Sequence, residues 1–183
     1  MNRLLRHSLA AALLAGLFLP FGTAVAADMP GTFHAFDDAG IFSTDGKKQA
    51  TKKLEGQKFD RGLHVTVDTY KEMPSDWKKK YDAAADKNKV VKDWAIAAAT
   101  AQKAKGPYVL ICMRPGYTMV IADEETVKRG LTQADSDEVR KIIDTGLRDA
   151  AKLEPDKRVE ARDAALLKAT DYLIKTLKGT KVP

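Results

Sequence analysis

The sequence predicts an α/β fold, a small mixed sheet with helices on both faces in a three-layer sandwich. Three observations carry that prediction. Residues Gly62 to Tyr70 alternate apolar and polar side chains with a period of two. Two short apolar runs, Tyr108 to Met113 and Tyr117 to Ala122, flank Arg114-Pro115-Gly116 and form a hairpin pattern. Apolar residues at helical spacing fill most of the remainder. No internal repeat or low-complexity linker divides residues 28–183, which read as one domain.

The first 27 residues have a different character. Arg3 and Arg6 precede an apolar stretch from Leu9 to Leu19, too short to span a hydrocarbon core of roughly 30 Å. Pro20 and Gly22 break it, and Ala24-Val25-Ala26 supplies small residues for a signal peptidase. Cleavage after Ala26 or Ala27 is expected, which places the mature chain in the periplasm or outside the cell. An uncleaved anchor is the alternative. No second apolar run reaches 18 residues, so no transmembrane segment is expected in the mature chain.

The following elements are read in order. Asp28 to His34 holds Pro30 and Gly31 and should be an extended lead-in. Ser43, Thr44 and Asp45 are good N-caps for a helix over about 45–57, with Ala50 and Leu54 inward. In the strand at 62–70, Leu63, Val65 and Val67 face one side, and His64, Thr66 and Asp68 the other. Pro74 and Ser75 open a helical stretch carrying Trp77, Tyr81 and Trp94, with a division expected at Lys87-Asn88-Lys89. Gly106 and Pro107 end it, and the hairpin follows, closing on Asp123-Glu124-Glu125. Val139, Ile142, Ile143 and Leu147 mark a further helix, Pro155 interrupts, and a last helix runs from about 159 to 178.

Composition narrows the function classes. The chain carries a single cysteine, which excludes an internal disulfide framework and a Cys-based zinc cage. Cys112 lies in an apolar run and reads as a small core residue. Removing Arg3 and Arg6 with the leader lowers the net charge from +6 to +4. The charges are interspersed, and aromatic residues are only 7%, so nucleic acid is not an expected partner. The densest basic run, Lys78-Lys79-Lys80, is either a solvated helix face or a contact for polyanions or anionic lipid. There is no G-x-S-x-G elbow, no P-loop and no G-x-G-x-x-G.

Phe36-Asp37-Asp38-Ala39-Gly40-Ile41-Phe42-Ser43 resembles the opening D-x-A-G-l-l-S signature of the TPM domain, a family that includes photosystem II repair proteins, thylakoid acid phosphatase-like proteins and exported bacterial proteins. The resemblance extends in element order over about residues 33–178. It implies an α/β sandwich and, by analogy with some members, calcium binding or hydrolysis of phosphate esters. Two segments depart from the family pattern: Lys105-Gly106-Pro107 stands where an Asn/Asp-Gly pair leads into the central strand, and Asp123-Glu124-Glu125-Thr126 replaces a Gly-rich turn.

The candidate chemistry is carboxylate chemistry. Asp37 holds the signature's Asp position, Asp38 adjoins it, and Asp123 and Glu124 follow a strand. Sites in open α/β sheets form beyond the carboxyl ends of strands. If the Asp37 loop folds across that end, these four residues become the expected ligands of Ca²⁺, which takes six to eight oxygens. The alternative is that Asp37 caps a turn while 123–125 are exposed surface. His64 is a candidate base and Arg114 a candidate phosphate contact, both better explained as packed or solvated residues. No complete catalytic set is legible. The expected function is a binding or accessory module in the cell envelope, its partners membrane or envelope proteins and its work maintenance of membrane protein complexes. A divalent-cation-dependent phosphatase and a polyanion or anionic-lipid binder are the alternatives.

Overall fold

The structure, a computed structural model, describes residues 28–180; the leader expected over residues 1–27 lies outside the described residues. Eleven elements follow one another: β1 (Asp28–Asp37), α1 (Thr44–Glu55), β2 (Lys58–Asp60), β3 (Leu63–Tyr70), α2 (Ser75–Ala83), α3 (Lys87–Ala101), β4 (Pro107–Cys112), β5 (Tyr117–Ala122), α4 (Glu124–Lys128), α5 (Gln133–Ala151) and α6 (Pro155–Leu177). The five strands form one sheet in the order β2-β1-β3-β4-β5. β1, β3 and β4 are parallel, while β2 and β5 run antiparallel to their neighbours. Among the described residues no helix is long and apolar enough to cross a membrane.

Local chemistry sets the helix starts. The Ser43, Asp86 and Asp123 side chains accept from the Gly46, Lys89 and Thr126 amides and cap α1, α3 and α4. Thr132 and Asp135 close a reciprocal capping box at α5. The division between α2 and α3 therefore falls at residues 84–86, just ahead of the expected Lys87-Asn88-Lys89, because Asp86 is the residue that can cap. The expected break falls at residues 152–154, and Pro155 itself opens α6, four residues ahead of the expected start, in the first turn where its missing amide is not needed. The lead-in at 28–34 is the first half of β1, and two short elements, β2 and α4, were not foreshadowed in the sequence pattern.

Alternation along the strands separates two cores. Phe33, Val65, Val67, Val109, Ile111 and Val120 face α1, α5 and α6, joined by Leu54, Ile143, Leu166 and Leu173. Tyr108, Leu110 and Cys112 face α2 and α3, joined by Tyr81, Val91 and Trp94. This is the expected three-layer arrangement. Its central strand is covered on both sides, so Thr66 and Asp68 are buried rather than solvated. Because α1 and the α2–α3 pair cover opposite faces while the order β1-β3-β4 advances one way, the two parallel crossovers have opposite hands.

The last helix locks onto the first. Asp163 of α6 accepts the Ser43 amide at 2.9 Å and also the Ser43 hydroxyl. α5 and α6 approach so closely that a Cβ on Gly146 would lie 2.2 Å from the Ala165 side chain.

Candidate functional site

Asp37 ends β1 at the carboxyl end of the parallel strands, paired in register with Thr69. Its carboxylate accepts from four donors. Oδ1 takes the Ile41 amide at 2.9 Å and the Thr69 hydroxyl at 2.7 Å; Oδ2 takes the Phe42 amide and the Lys47 ammonium, both at 3.1 Å. Burial pulls its pKa up, but these donors outweigh it and hold the carboxyl below its ordinary range. Thr69 in turn accepts the Ala39 amide. The signature loop at 36–43 is thus tied to β3 and α1 through one carboxylate, whose acceptor sites are filled by the protein itself.

Asp38 is exposed beside this knot, and its charge reaches Asp68. Asp68 is 2% exposed on the central strand, and its Oδ2 accepts from the Tyr108 hydroxyl at 2.6 Å and the Tyr70 hydroxyl at 2.8 Å. Burial raises its pKa, the two hydroxyls oppose the rise, and Asp38 adds to it; the balance is upward. Both tyrosines are pushed up in their turn, first by burial and then by the carboxylate they touch. The Tyr70 ring packs on Trp94 at 5.0 Å between centroids. Over β1 the same face stays open, with His34 exposed and Phe36 41% exposed.

Asp123 and Glu124 lie at the other end of the sheet. β5 runs back along β4, so Asp123 meets the amino end of β4. Its Oδ2 accepts the Gly106 amide at 2.8 Å and its Oδ1 the Thr126 amide at 2.9 Å. Burial raises its pKa, but those bonds and the nearby Arg129 charge carry it below the usual range. Glu124 is exposed and pairs with Lys128 at 2.7 Å. Asp37 is level with Thr69, whereas Gly106 packs against His64; five residues of strand separate the two levels, roughly 16 Å at ~3.3 Å per residue. Calcium–oxygen contacts are about 2.3–2.6 Å, so Asp37, Asp38, Asp123 and Glu124 do not meet around one ion. Among the described residues no group of three or more His, Cys, Asp or Glu side chains is placed to hold a metal. The expected loop crossing does occur, but it carries Asp37 into a knot of amides instead of toward Asp123.

The remaining candidates have partners of their own. Arg114, at the hairpin tip, pairs with Glu72 at 2.7 Å in the open. Lys78 pairs with Asp82, and Lys80 lies 4.2 Å above the Trp77 ring, so the basic run is a partnered helix face. Cys112 is buried, and burial pushes its thiol pKa up, as suits a core residue. His64 is half-buried with Nδ1 2.6 Å from the Thr32 hydroxyl. Burial lowers its pKa, and the Lys105, His34 and Arg129 charges lower it further.

Two features were not singled out in the sequence. Asp68 and its tyrosines are one, and Arg129 is the other; its side chain is 4% exposed and reaches the Gly62 carbonyl. The sheet also ends in a surface. Among the described residues β5 pairs with β4 alone, and beside its other side lies a groove of about 690 Å³ lined by α3, β5 and the segment from α4 into α5. Ile96 and Val127, 48% and 55% exposed, stand in that groove. Comparison with family models, with characterised proteins and with solved structures returns no match.

Proposed function

We propose that the protein is an exported binding module of the cell envelope that takes up an extended segment of a membrane or envelope protein along the free edge of β5. The observation that carries this reading is the edge itself, which lines a groove of about 690 Å³. An edge strand offers main-chain amides and carbonyls with no partner, and a second strand satisfies them while its alternate side chains enter flanking pockets. Ile96 and Val127 provide apolar contacts; Lys89 and Arg140 are paired with Asp93 and Asp137, while Lys92 forms no ion pair among the described residues and favours a segment that carries a carboxylate. The likeness of residues 36–43 to the TPM signature and the leader-like first 27 residues support the envelope setting.

The test is an amide shift titration of the purified protein with short extended peptides that alternate apolar and acidic residues. Shifts confined to residues 117–122 and the facing side of α3, weakened by Lys92→Glu, are expected. Shifts elsewhere, or binding indifferent to Lys92→Glu, overturn the reading. Hydrolysis of a generic phosphate ester that Ca²⁺ or Mg²⁺ stimulates and Asp37→Asn abolishes would instead assign a cation-dependent phosphatase.

A further inference from the structure

A second cavity, of about 150 Å³, opens at the amino ends of β3 and β4. It is lined by Arg61, His64, Lys105 and Arg129 together with the carboxylates of Asp123 and Glu125. At ~30 Å³ per water its volume is about that of five waters, enough for one small polar ligand. It lies on the far side of Gly106 from the signature loop and does not include the β5 groove residues.

Arg129 is the unusual member. Its guanidinium is buried; one terminal nitrogen donates to the Gly62 carbonyl and the other to Glu125 at 3.0 Å, while Nε is buried with no acceptor among the described residues. A buried donor left unpaired forfeits its hydration with no bond in return. The nearest acids offer little to offset it: both Asp123 oxygens are taken by the Gly106 and Thr126 amides, and Glu125 is half exposed. Arg61 and Lys105 add two exposed positive charges, and among the described residues neither forms an ion pair. With Nδ1 of His64 engaged by Thr32, Nε2 is the remaining polar atom of that ring.

The backbone brings these groups together at a cost. Gly106 has φ +75°, and a Cβ there would lie 2.0 Å from the His64 carbonyl oxygen, so only glycine lets Lys105 approach the strand so closely. Arg61 is itself left-handed, at φ 58°, a conformation that disfavours any residue with a Cβ.

We propose that this cavity binds a small tetrahedral oxyanion of the phosphate class, held by Arg129, Lys105, Arg61 and His64. Four donor groups arrive from the β2–β3 turn, β3, the loop before β4 and the C-cap of α4, and four oxygens match donors from several directions better than a planar carboxylate does. Glu125 swings outward as the anion takes its place beside Arg129. Free phosphate and the phosphate of a small monoester share this chemistry.

The test follows inorganic phosphate and glycerol 3-phosphate binding to the purified protein by amide shifts, against sodium chloride at matched ionic strength. Saturable shifts at Gly62, His64 and Gly106 are expected with one or both anions, and the tighter of the two identifies the source. Arg129→Met threatens the fold because that side chain is buried, so the rim variants Lys105→Ala and Arg61→Ala decide the matter. Each is expected to weaken binding about tenfold or more, the loss of one charge-assisted bond. No saturable shift beyond that of chloride overturns the proposal, and so does binding that the double rim variant leaves unchanged.

Discussion

Replacing Asp37 with Asn tests the most consequential residue of the signature loop. The amide oxygen of Asn can still accept from Ile41 and Thr69, but an NH2 group then faces the Phe42 amide and the Lys47 ammonium. Leaving the Phe42 amide unpaired costs about 1–3 kcal/mol. Loss of the Lys47 pair adds up to about 1 kcal/mol, since that side chain is 32% exposed and the pair is partly screened. The sum is about 1–4 kcal/mol, or a fall of about 2–16 °C in melting temperature at ~2–4 °C per kcal/mol for a chain of this size. The effect has a pH signature. The Asp37 pKa is lowered on folding, so its contribution is complete above the ordinary aspartate value of about 3.9 and is lost as pH falls through the lower folded value. The gap between wild type and Asp37→Asn should therefore be full at pH 7 and should narrow below about pH 4. Thermal melts across that range, with reversibility checked, measure it. A variant melting within about 1 °C of wild type at pH 7, or a gap that does not change with pH, would refute the structural role. A calcium-induced rise in melting temperature that Asp37→Asn removes would return the residue to metal chemistry.

Asp68→Leu leaves the Tyr70 and Tyr108 hydroxyls without their acceptor and should cost about 2–5 kcal/mol in urea unfolding, whereas Asp68→Asn keeps an acceptor and should cost less. Since burial raises the Asp68 pKa, wild type should lose stability relative to Asp68→Asn as pH rises from the ordinary aspartate range through the higher folded value. Gly146→Ala should destabilise by about 1–3 kcal/mol despite its better helix propensity, and the added change Ala165→Gly should restore part of the loss; thermal melts of the single and double variants decide it. The His64 pKa is lowered on folding, so stability should decline as pH falls below about 6.5, and His64→Gln should flatten that decline in a pH series of urea midpoints.

Element type was largely legible because periodicity reports it directly. The alternation at 62–70, the apolar hairpin and the α5 and α6 stripes each became the expected structure. The short elements were not, for physical reasons. β2 is three residues long and α4 is five, too few for a period to emerge. The alternation in β3 placed Thr66 and Asp68 on the opposite face from Val65 and Val67 without saying what covers it; α2 and α3 do, and they turn Asp68 into a buried, tyrosine-bonded group. The acidic residues of the expected cation site were recognisable, but their grouping depended on which end of the sheet each reached, and the reversal at β5 sends Asp123 away from Asp37. Arg129 had no local signal beyond Glu125 four residues before it, because its other partner, Gly62, is 67 residues distant.

The contact between Ser43 and Asp163 joins positions 120 apart, and the helix bearing Asp163 supplies Leu166, Leu173 and Leu177 to the larger core. Until that helix exists, the first strand and first helix have each other but lack the layer that closes the larger core over them. Contacts of such long sequence separation form late, since the loop they close must be ordered first. Closure of the larger core therefore waits on the docking of α6, and the cooperativity of unfolding should rest on that one helix.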